Sequence, residues 1–385
     1  MQEQPWAINT IDYTGHYPLT LAIDRDQIDC MEMLISMGAD VNQVTSQGES
    51  ALILAAAKES HEFVRLLLNA KSRVDWADID GTTALHEAVS CCCADSVSLL
   101  LAAGASTTCQ NIYGDTPLHR LASSTTSNRG YTKRIIELLV LAGADLEARC
   151  FDGRTPIMNT LITNETSALR YLLDLDCSLL SSNWFNENIL HLAAVFSSLE
   201  MLEYLGSLDL HGINPDQKDL EGDTPGDCIL YAYDELYVGS RAPSTAEITA
   251  FLNLCQVIKD RSLKHDIDNL EQVVAALRNR DVATGREYLG SLLAKEKLWK
   301  REDLFCWYRA VDRRIQNLEW DLATEDLSDY LTELRGELGK PVYYIPPEYG
   351  CTFLDSQIWE ITACESEAWE SEASESESSE SETLE

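Results

Sequence analysis

Glycine residues that precede a short apolar helical pattern recur at a nearly constant spacing in this chain. Gly15, Gly48, Gly81 and Gly114 are each 33 residues apart, and Gly153 follows after 39. Two of the segments that begin at these glycines read G-T-T-A-L-H-E-A and G-D-T-P-L-H-R-L-A. A fixed period of this length is typical of stacked copies of one small unit, each of which buries its apolar side only against its neighbours. The spacing therefore predicts an elongated array of similar helical units.

Two more units continue the pattern less regularly. Asn186 takes the glycine position 33 residues after Gly153, in the segment N-E-N-I-L-H-L-A-A. Gly222 begins a weaker G-D-T-P-G-D segment 36 residues later. The second half of the unit repeats as well, with one position that is held by Gly38, Gly104 and Gly143, and by Lys71 in the second unit.

Over residues 7–230 this pattern resembles the ankyrin repeat family. The resemblance implies an all-α solenoid, in which each unit has a β-turn tip and two antiparallel helices. The residue chemistry agrees with this fold. Thr116 before Pro117 suits an N-cap followed by proline in the first helical turn, and Leu118 and Leu121 then lie on one helical face. Glycine adopts the left-handed conformation that ends a helix at little cost. We therefore expect the second helix of unit three to end at Gly104.

The repeats divide the chain into four predicted parts. The first, residues 1–258, is the repeat array, with units near 12–44, 45–77, 78–110, 111–149, 150–182, 183–218 and a degenerate 219–258. The others are a helical region at 259–340, an extended Pro/Tyr-containing segment at 341–359 and a disordered Glu/Ser-rich tail at 360–385. Unit four carries six extra polar residues near 123–130, which we interpret as a variable loop between its two helices.

The helical region shows apolar stripes at helical spacing. They begin at Ile267, Leu304 and Leu327, and the second is expected to continue to Leu322. Two or three amphipathic helices can either close the end of the stack or form a small separate bundle. At the opposite end the chain starts without helices before Ala7-Ile8-Asn9. A missing N-terminal portion, a partner that covers the first unit, and a cover formed by Pro5, Trp6 and Ile8 all remain open.

Acidic residues dominate the composition, with 64 Asp+Glu against 29 Lys+Arg and a formal net charge of −35. This balance argues against nucleic acid or an anionic membrane as the main partner, because phosphate binding needs a concentrated basic face. Ten of the glutamates lie in residues 360–385, which contain no Lys, Arg or Asp. In that tail Ser374 and Ser379 each precede a glutamate by three residues, a pattern that favours phosphorylation by acidophilic kinases.

The N-terminal residues lack the apolar core of a signal peptide, and no apolar run approaches the ~20 residues of a membrane span. The twelve cysteines are dispersed, apart from Cys91-Cys92-Cys93, and no C-x-x-C occurs. Reduced, mostly buried thiols are therefore expected. Together these features predict a protein of the cytoplasm or nucleus.

No catalytic, nucleotide-binding or metal-binding motif is present in the sequence, so we expect neither an enzyme nor a cofactor or metal site. Three histidines, His86, His119 and His191, share one position of the repeat. The resemblance implies that this histidine ties the turn backbone together. The cysteines at 91–93 have no nearby histidine that could serve as a base, which argues against a thiol nucleophile.

Function is therefore expected at the surface, as a scaffold or adaptor that binds another protein on the concave face implied by the resemblance. Large aromatic residues cluster in units four to six at positions that the fold leaves free, and an acidic rim surrounds them. This pattern favours a partner segment with Lys/Arg and an apolar anchor. The predicted contact residues are Tyr113, Phe151, Arg154, Trp184, Phe185, Phe196, Asp80, Asp115, Asp152 and Glu187.

Three alternatives stay open. Trp184 and Phe185 can fold inward if the loss of the turn glycine distorts the tip of unit six. The acidic tail can be the active element of a chaperone-like binder of basic proteins. The repeats can also target an unrecognised activity in the helical region, although residues 260–340 contain only one histidine, His265, and one cysteine, Cys306.

Overall fold

The computed structural model describes residues 8–13, 15–58, 60–121, 131–210, 212–233, 242–298, 302–317 and 319–340. Within these ranges the chain is helical, and the first twelve helices form six consecutive pairs. The pairs are α1 Pro18–Asp24 with α2 Ile28–Ser36, α3 Ala51–Ala56 with α4 His61–Asn69, α5 Ala84–Ser90 with α6 Ala94–Ala102, α7 Pro117–Arg120 with α8 Thr132–Leu141, α9 Pro156–Ile162 with α10 Thr166–Leu173, and α11 Ile189–Phe196 with α12 Leu199–Ser207.

Each helix packs against its counterpart in the next unit, so the pairs stack side by side. The last unit follows the same rule, because α13 (Pro225–Tyr233) packs on α11 and α14 (Thr245–Arg278) packs on α12. Buried apolar side chains from Leu19 to Ile258 form one continuous cluster through the stack. The predicted all-α repeat solenoid is therefore confirmed.

The first helices begin as the threonine–proline pattern predicts. Thr116 and His119 form a capping box at the start of α7 and Pro117 occupies its first turn, while Leu118 and Leu121 are buried. Such capping satisfies backbone N–H groups that have no partner within the helix. Gly104 follows α6 with φ +90°, a left-handed conformation in which glycine avoids the cost of a Cβ atom.

Short hairpin-like tips connect successive units. In the tip of unit three, Asp78 N–H donates to the Thr82 carbonyl oxygen at 3.0 Å, and the Asp78 carboxylate accepts from the backbone N–H groups of Asp80 and Thr82. Unit six repeats this arrangement with Asn183 in the place of Asp78. Antiparallel bridges at Val44–Ser50 and Ala77–Thr83 close the base of two tips.

A second cluster of buried apolar residues, from Ile267 to Leu334, lies in a bundle beyond the stack. The bundle consists of the second half of α14 with α15 (Val282–Leu298), α16 (Glu302–Gln316) and α17 (Trp320–Glu337). The 34-residue helix α14 crosses the predicted boundary at 258/259 without a break. The stack is thus closed by one half of α14, and the bundle is built on the other half, so that both open alternatives hold in part.

The predicted stripe from Leu304 to Leu322 does not form one helix. Helix α16 ends at Gln316 and α17 begins at Trp320, whose indole N–H donates to the Ile315 carbonyl oxygen. Leu322 therefore belongs to α17 and is half-exposed. Helix α15 was not predicted, because its mixed Leu/Ala/Lys/Glu sequence gives no clean apolar stripe.

Several predicted features lie outside the described residues. They are Pro5 and Trp6, the extra loop of unit four at 123–130, the segment 341–359, and the tail 360–385 with Ser374 and Ser379. In the part of the chain that the structure describes, no helix is both long and apolar enough to cross a bilayer.

Candidate protein-binding surface

Backbone hydrogen bonds join the tips of units two to seven into one frame. In each of units three to seven, one residue of the tip donates its N–H to a carbonyl oxygen of the preceding tip, at distances of 2.8 to 3.3 Å. The donors are Ile79, Ile112, Phe151, Trp184 and Leu220, and the acceptors are Gln47, Asp80, Tyr113, Asp152 and Phe185. Because both partners are backbone groups, the frame fixes where each side chain emerges.

The five donor positions carry large apolar side chains that face solvent. We call them the tip row: Ile79, Ile112, Phe151, Trp184 and Leu220. Their exposed fractions range from 48% to 71%. A run of large apolar side chains over five successive units is unusual on a solvent-exposed surface. Apolar patches of this kind usually mark an interaction site.

Glycines beneath the tip row support three of its side chains. A Cβ atom on Gly114 would lie 2.6 Å from the Phe151 ring, and one on Gly153 would lie 2.5 Å from the Trp184 ring. A Cβ atom on Gly48 would approach the Ile79 side chain to 3.2 Å. The row thus rests against the preceding turn, which orders the side chains while their outer faces stay accessible.

The aromatic residues predicted in unit six point outward. Asn186 adopts φ +64°, close to the φ of +79° at Gly153, so the turn keeps its shape without glycine. The Arg149 guanidinium lies 5.1 Å from the centre of the Trp184 ring, which adds a cation–π contact. Phe185 and its equivalent Tyr113 are exposed beside the tip row. The alternative in which unit six is distorted and these rings fold inward is therefore wrong.

The acidic residues of the predicted rim are less available to a partner than the sequence indicates. Asp152 pairs with Arg154 at 2.9 Å, so these two predicted contact residues neutralise each other within one tip. Glu187 is half-buried and accepts a hydrogen bond from the Asn183 amide, and desolvation raises the pKa of its carboxyl group. Asp115 is also half-buried, whereas Asp80 is exposed.

Phe196 does not join the aromatic group. It ends α11, at the opposite end of that helix from the tip, and its ring packs partly buried against the core. Its carbonyl oxygen accepts a hydrogen bond from the Asn164 side chain. The prediction grouped Phe196 with the tip aromatics because a repeat position alone does not specify packing partners.

The comparisons with known proteins bear on this arrangement of paired helices and tips. The family described as "Ankyrin repeats (3 copies)" matches residues 19–111 and again residues 118–219. The chain belongs to the ankyrin repeat family. The predicted resemblance is therefore confirmed, and the general role of ankyrin repeats is to mediate protein–protein interaction.

A solved structure agrees with this assignment at the level of the fold. The ankyrin repeat domain of human ASB11 matches with a TM-score of 0.50 and 21% sequence identity, over 62% of this chain and 98% of that chain. Identity this low supports a shared fold and carries no functional information. A search of curated proteins found no match.

Part of the tip row of this ankyrin array was not predicted. Ile79 and Ile112 are absent from the predicted contact set, and Leu220 lies in the degenerate seventh unit. A local signal could have identified all three residues. A polar residue that caps the turn lies three positions before the turn glycine or its replacement, as at Thr45, Asp78, Asn111, Asn183 and Asp219.

In units three to seven the residue directly after the tip-capping residue is the row position, whereas unit two has the polar Ser46 after Thr45. The pairs are Asp78-Ile79, Asn111-Ile112, Asn183-Trp184 and Asp219-Leu220, and in unit five Cys150 takes the capping position before Phe151. Trp76 is not part of the row: it lies before the capping residue, and its indole N–H donates to the Gly48 carbonyl oxygen. The row position therefore lies two residues before the turn glycine or its replacement in units three to seven.

The three equivalent histidines connect neighbouring ankyrin units. The Nδ1 atom of His86 accepts from the Thr83 backbone N–H at 3.2 Å, and its Nε2–H donates to the Asp115 carbonyl oxygen of the next unit at 3.0 Å. His119 and His191 repeat this arrangement toward the carbonyl oxygens of Arg154 and Asp223. All three rings are buried, so they are structural links.

We expect these links to weaken in acid. Burial lowers the pKa of His86 to about 4, despite the opposing hydrogen bond to Asp115, and it also lowers the pKa values of His119 and His191. In the unfolded chain these histidines bind protons once the pH falls below their ordinary pKa of about 6.5, whereas in the folded chain they resist protonation. The stabilising contribution is therefore complete above pH 6.5 and is lost as the pH falls toward 4. For His86 the loss is on the order of 2 kcal/mol at pH 4.5.

Urea denaturation between pH 7 and 4.5 tests this prediction, with His86→Gln as the matched variant. The difference in unfolding free energy between the wild type and the variant should shrink as the pH falls. A difference that stays constant with pH would show that protonation of His86 does not contribute.

Cys91, in the cysteine cluster, lacks the environment of a reactive thiol. The Cys91 thiol lies 3.4 Å from the Ala57 carbonyl oxygen. Desolvation is the largest cause that raises the pKa of this thiol, and the negative charge of nearby Glu87 is the second. Cys93 lies 3.1 Å from the Ser96 hydroxyl, and Cys92 is buried. Reactive cysteines need a lowered pKa, so Cys91 does not favour nucleophilic chemistry. Among the described residues, no group of three or more His, Cys, Asp or Glu is arranged to hold a metal ion.

Proposed function

We propose that this protein is a non-enzymatic scaffold or adaptor that binds another protein on the tip row and the neighbouring aromatic residues of units four to six. One observation carries the proposal: large apolar side chains face solvent from five successive tips that backbone hydrogen bonds hold in place. A rigid apolar surface lowers the entropy lost when a partner binds, because its side chains are already ordered.

The centre of the surface is the pair formed by Phe151 and Trp184. Both rings rest on a glycine of the preceding tip, and they are flanked by Tyr113 and Phe185. Aromatic residues grouped on rigid elements are typical of the residues that contribute most to binding energy. The surface therefore suits a partner segment with apolar anchors.

The charge of the chain adds a second requirement for the partner. The protein carries a formal net charge of −35, and Asp80 is exposed next to the tip row. Because Asp152 already pairs with Arg154, the local negative field is weaker than the count of acidic residues indicates. We infer that Lys or Arg residues in the partner increase the association rate, while apolar anchors supply most of the affinity.

Affinity purification followed by mass spectrometry identifies the partner, and calorimetry with the purified partner then tests the surface. The expected result is a partner whose binding is strongly weakened when Phe151 and Trp184 are truncated. A partner that binds this variant with unchanged affinity would place the interaction elsewhere on the chain.

The acidic tail is the second candidate for the binding element. Its ten glutamates within residues 360–385 favour a chaperone-like role toward basic proteins. Deletion of residues 360–385 separates the two functions. We expect the deletion to leave binding to the tip row intact, whereas a tail-dependent function predicts that binding disappears.

A further inference from the structure

A cavity of about 480 Å³ lies between the last repeat and the helical bundle. Its apolar walls come from four parts of the chain: Pro215 before α13, Leu263 on α14, Leu304 on α16 and Leu334 on α17. The Tyr330 ring adds an aromatic wall. Cavities of this volume are within the range that holds small ligands or an inserted side chain.

Two residues that line this cavity each have a buried polar side-chain atom with no hydrogen-bond partner among the described residues. These are the Asp266 Oδ1 and Ser262 Oγ atoms, and the two residues are only 6% and 5% exposed. The other carboxylate oxygen of Asp266, Oδ2, pairs with Lys295. A buried acceptor without a partner is costly, so a donor group from a ligand would stabilise this site.

The charges around the cavity favour a cationic donor. Carboxylates outnumber ammonium groups among the lining residues, which include Asp216, Asp266, Glu333 and Glu337 against Lys259 and Lys295. Lys295 is already bonded to Asp266, and Glu337 also pairs with Lys340.

We propose that this cavity binds a primary ammonium or guanidinium group on an apolar stem. The cationic head donates hydrogen bonds to Asp266 Oδ1 and Ser262 Oγ, and the stem packs between the leucine side chains of the wall. Such a group belongs either to a free small amine or to a Lys or Arg side chain of a polypeptide. This site is separate from the tip row and does not rest on the function proposed above.

Calorimetric titration of the full chain with agmatine and cadaverine tests the proposal. Both compounds should bind, whereas 1,5-pentanediol, which matches cadaverine in length but is uncharged, and glutarate, a five-carbon dianion, should not. Ser262→Ala should weaken agmatine binding about tenfold, the usual effect of losing one hydrogen bond to a charged group. Glu333→Gln should weaken it about threefold, because this carboxylate is exposed.

Glu325→Gln is the matched control, since Glu325 is exposed on the same helix as Glu333 but does not line the cavity. Asp266→Asn should abolish binding, and its melting temperature must be measured because it breaks the ion pair with Lys295. Ser262→Ala leaves that ion pair in place, so it tests the proposal even if Asp266→Asn fails to fold. No saturable binding of either amine, or equal binding to Ser262→Ala and the wild type, would overturn the proposal.

A capped Gly-Arg-Gly peptide distinguishes the two sources of the cation. Tighter binding of the peptide than of agmatine assigns the cavity to a basic side chain of a polypeptide. Tighter binding of agmatine assigns it to a free amine. Either result supports the cation site, provided that Ser262→Ala weakens binding of the compound concerned.

Discussion

Replacing both Phe151 and Trp184 with alanine should weaken partner binding by about 2 to 4 kcal/mol, which is roughly 30-fold to 1000-fold in the dissociation constant. Truncation of the two rings removes the centre of the apolar surface while the backbone frame beneath it stays in place. Both rings are more than half exposed, so the free energy of unfolding should change by less than about 1 kcal/mol. Calorimetry with the purified partner and chemical denaturation measure the two effects separately.

Leu141→Ala is the control for this variant. Leu141 is 82% exposed at the end of α8 and lies outside the tip row, so it tests whether any exposed apolar side chain has the same effect. Its replacement should leave the affinity unchanged. Equal losses for Leu141→Ala and the double variant would contradict a specific role of the tip row.

Gly114→Ala should destabilise the protein by about 3 kcal/mol, far more than a typical surface change. Gly114 has φ +76°, and an added Cβ atom would lie 2.5 Å from the Phe151 backbone nitrogen. That nitrogen donates to the Tyr113 carbonyl oxygen at 2.9 Å, so the clash breaks the hydrogen bond between two adjacent tips. The same change displaces the Phe151 ring and should therefore also weaken partner binding.

Gly104→Ala separates the close contact from the backbone conformation. Gly104 has φ +90°, but its added Cβ atom would meet no described atom within 4 Å. Only the left-handed conformation is penalised there, at about 1 kcal/mol. Denaturation in urea should rank the variants as wild type, Gly104→Ala and Gly114→Ala in order of decreasing stability. Equal destabilisation by both replacements would exclude the contact between tips as the cause.

The repeat fold could be predicted from the sequence because its determinants are local and recur at one period. The Thr116-Pro117 start, the buried Leu118 and the glycine after α6 each act within a few residues, and each recurs in equivalent positions. The bundle was harder to predict, since α15 has no clear apolar stripe and its packing depends on contacts with α14 and α16.

The binding surface was predicted in part for a similar reason. The exposure of Tyr113, Phe151 and Trp184 follows from their position in the tip. The pairing of Asp152 with Arg154 and the partial burial of Phe196 depend on side-chain geometry, which the repeat period does not specify. Sequence comparison between units therefore locates positions, while the packing around each position decides which side chains remain available.

Helix α14 has a mechanical consequence. Its 34 residues correspond to a rod about 50 Å long, one half of which seals the ankyrin stack while the other half supports the bundle. An uninterrupted helix lacks the hinge that a flexible linker would supply. A protein held on the tips and a second molecule held by the bundle would thus be kept at a fixed separation and angle, as the two ends of a strut are.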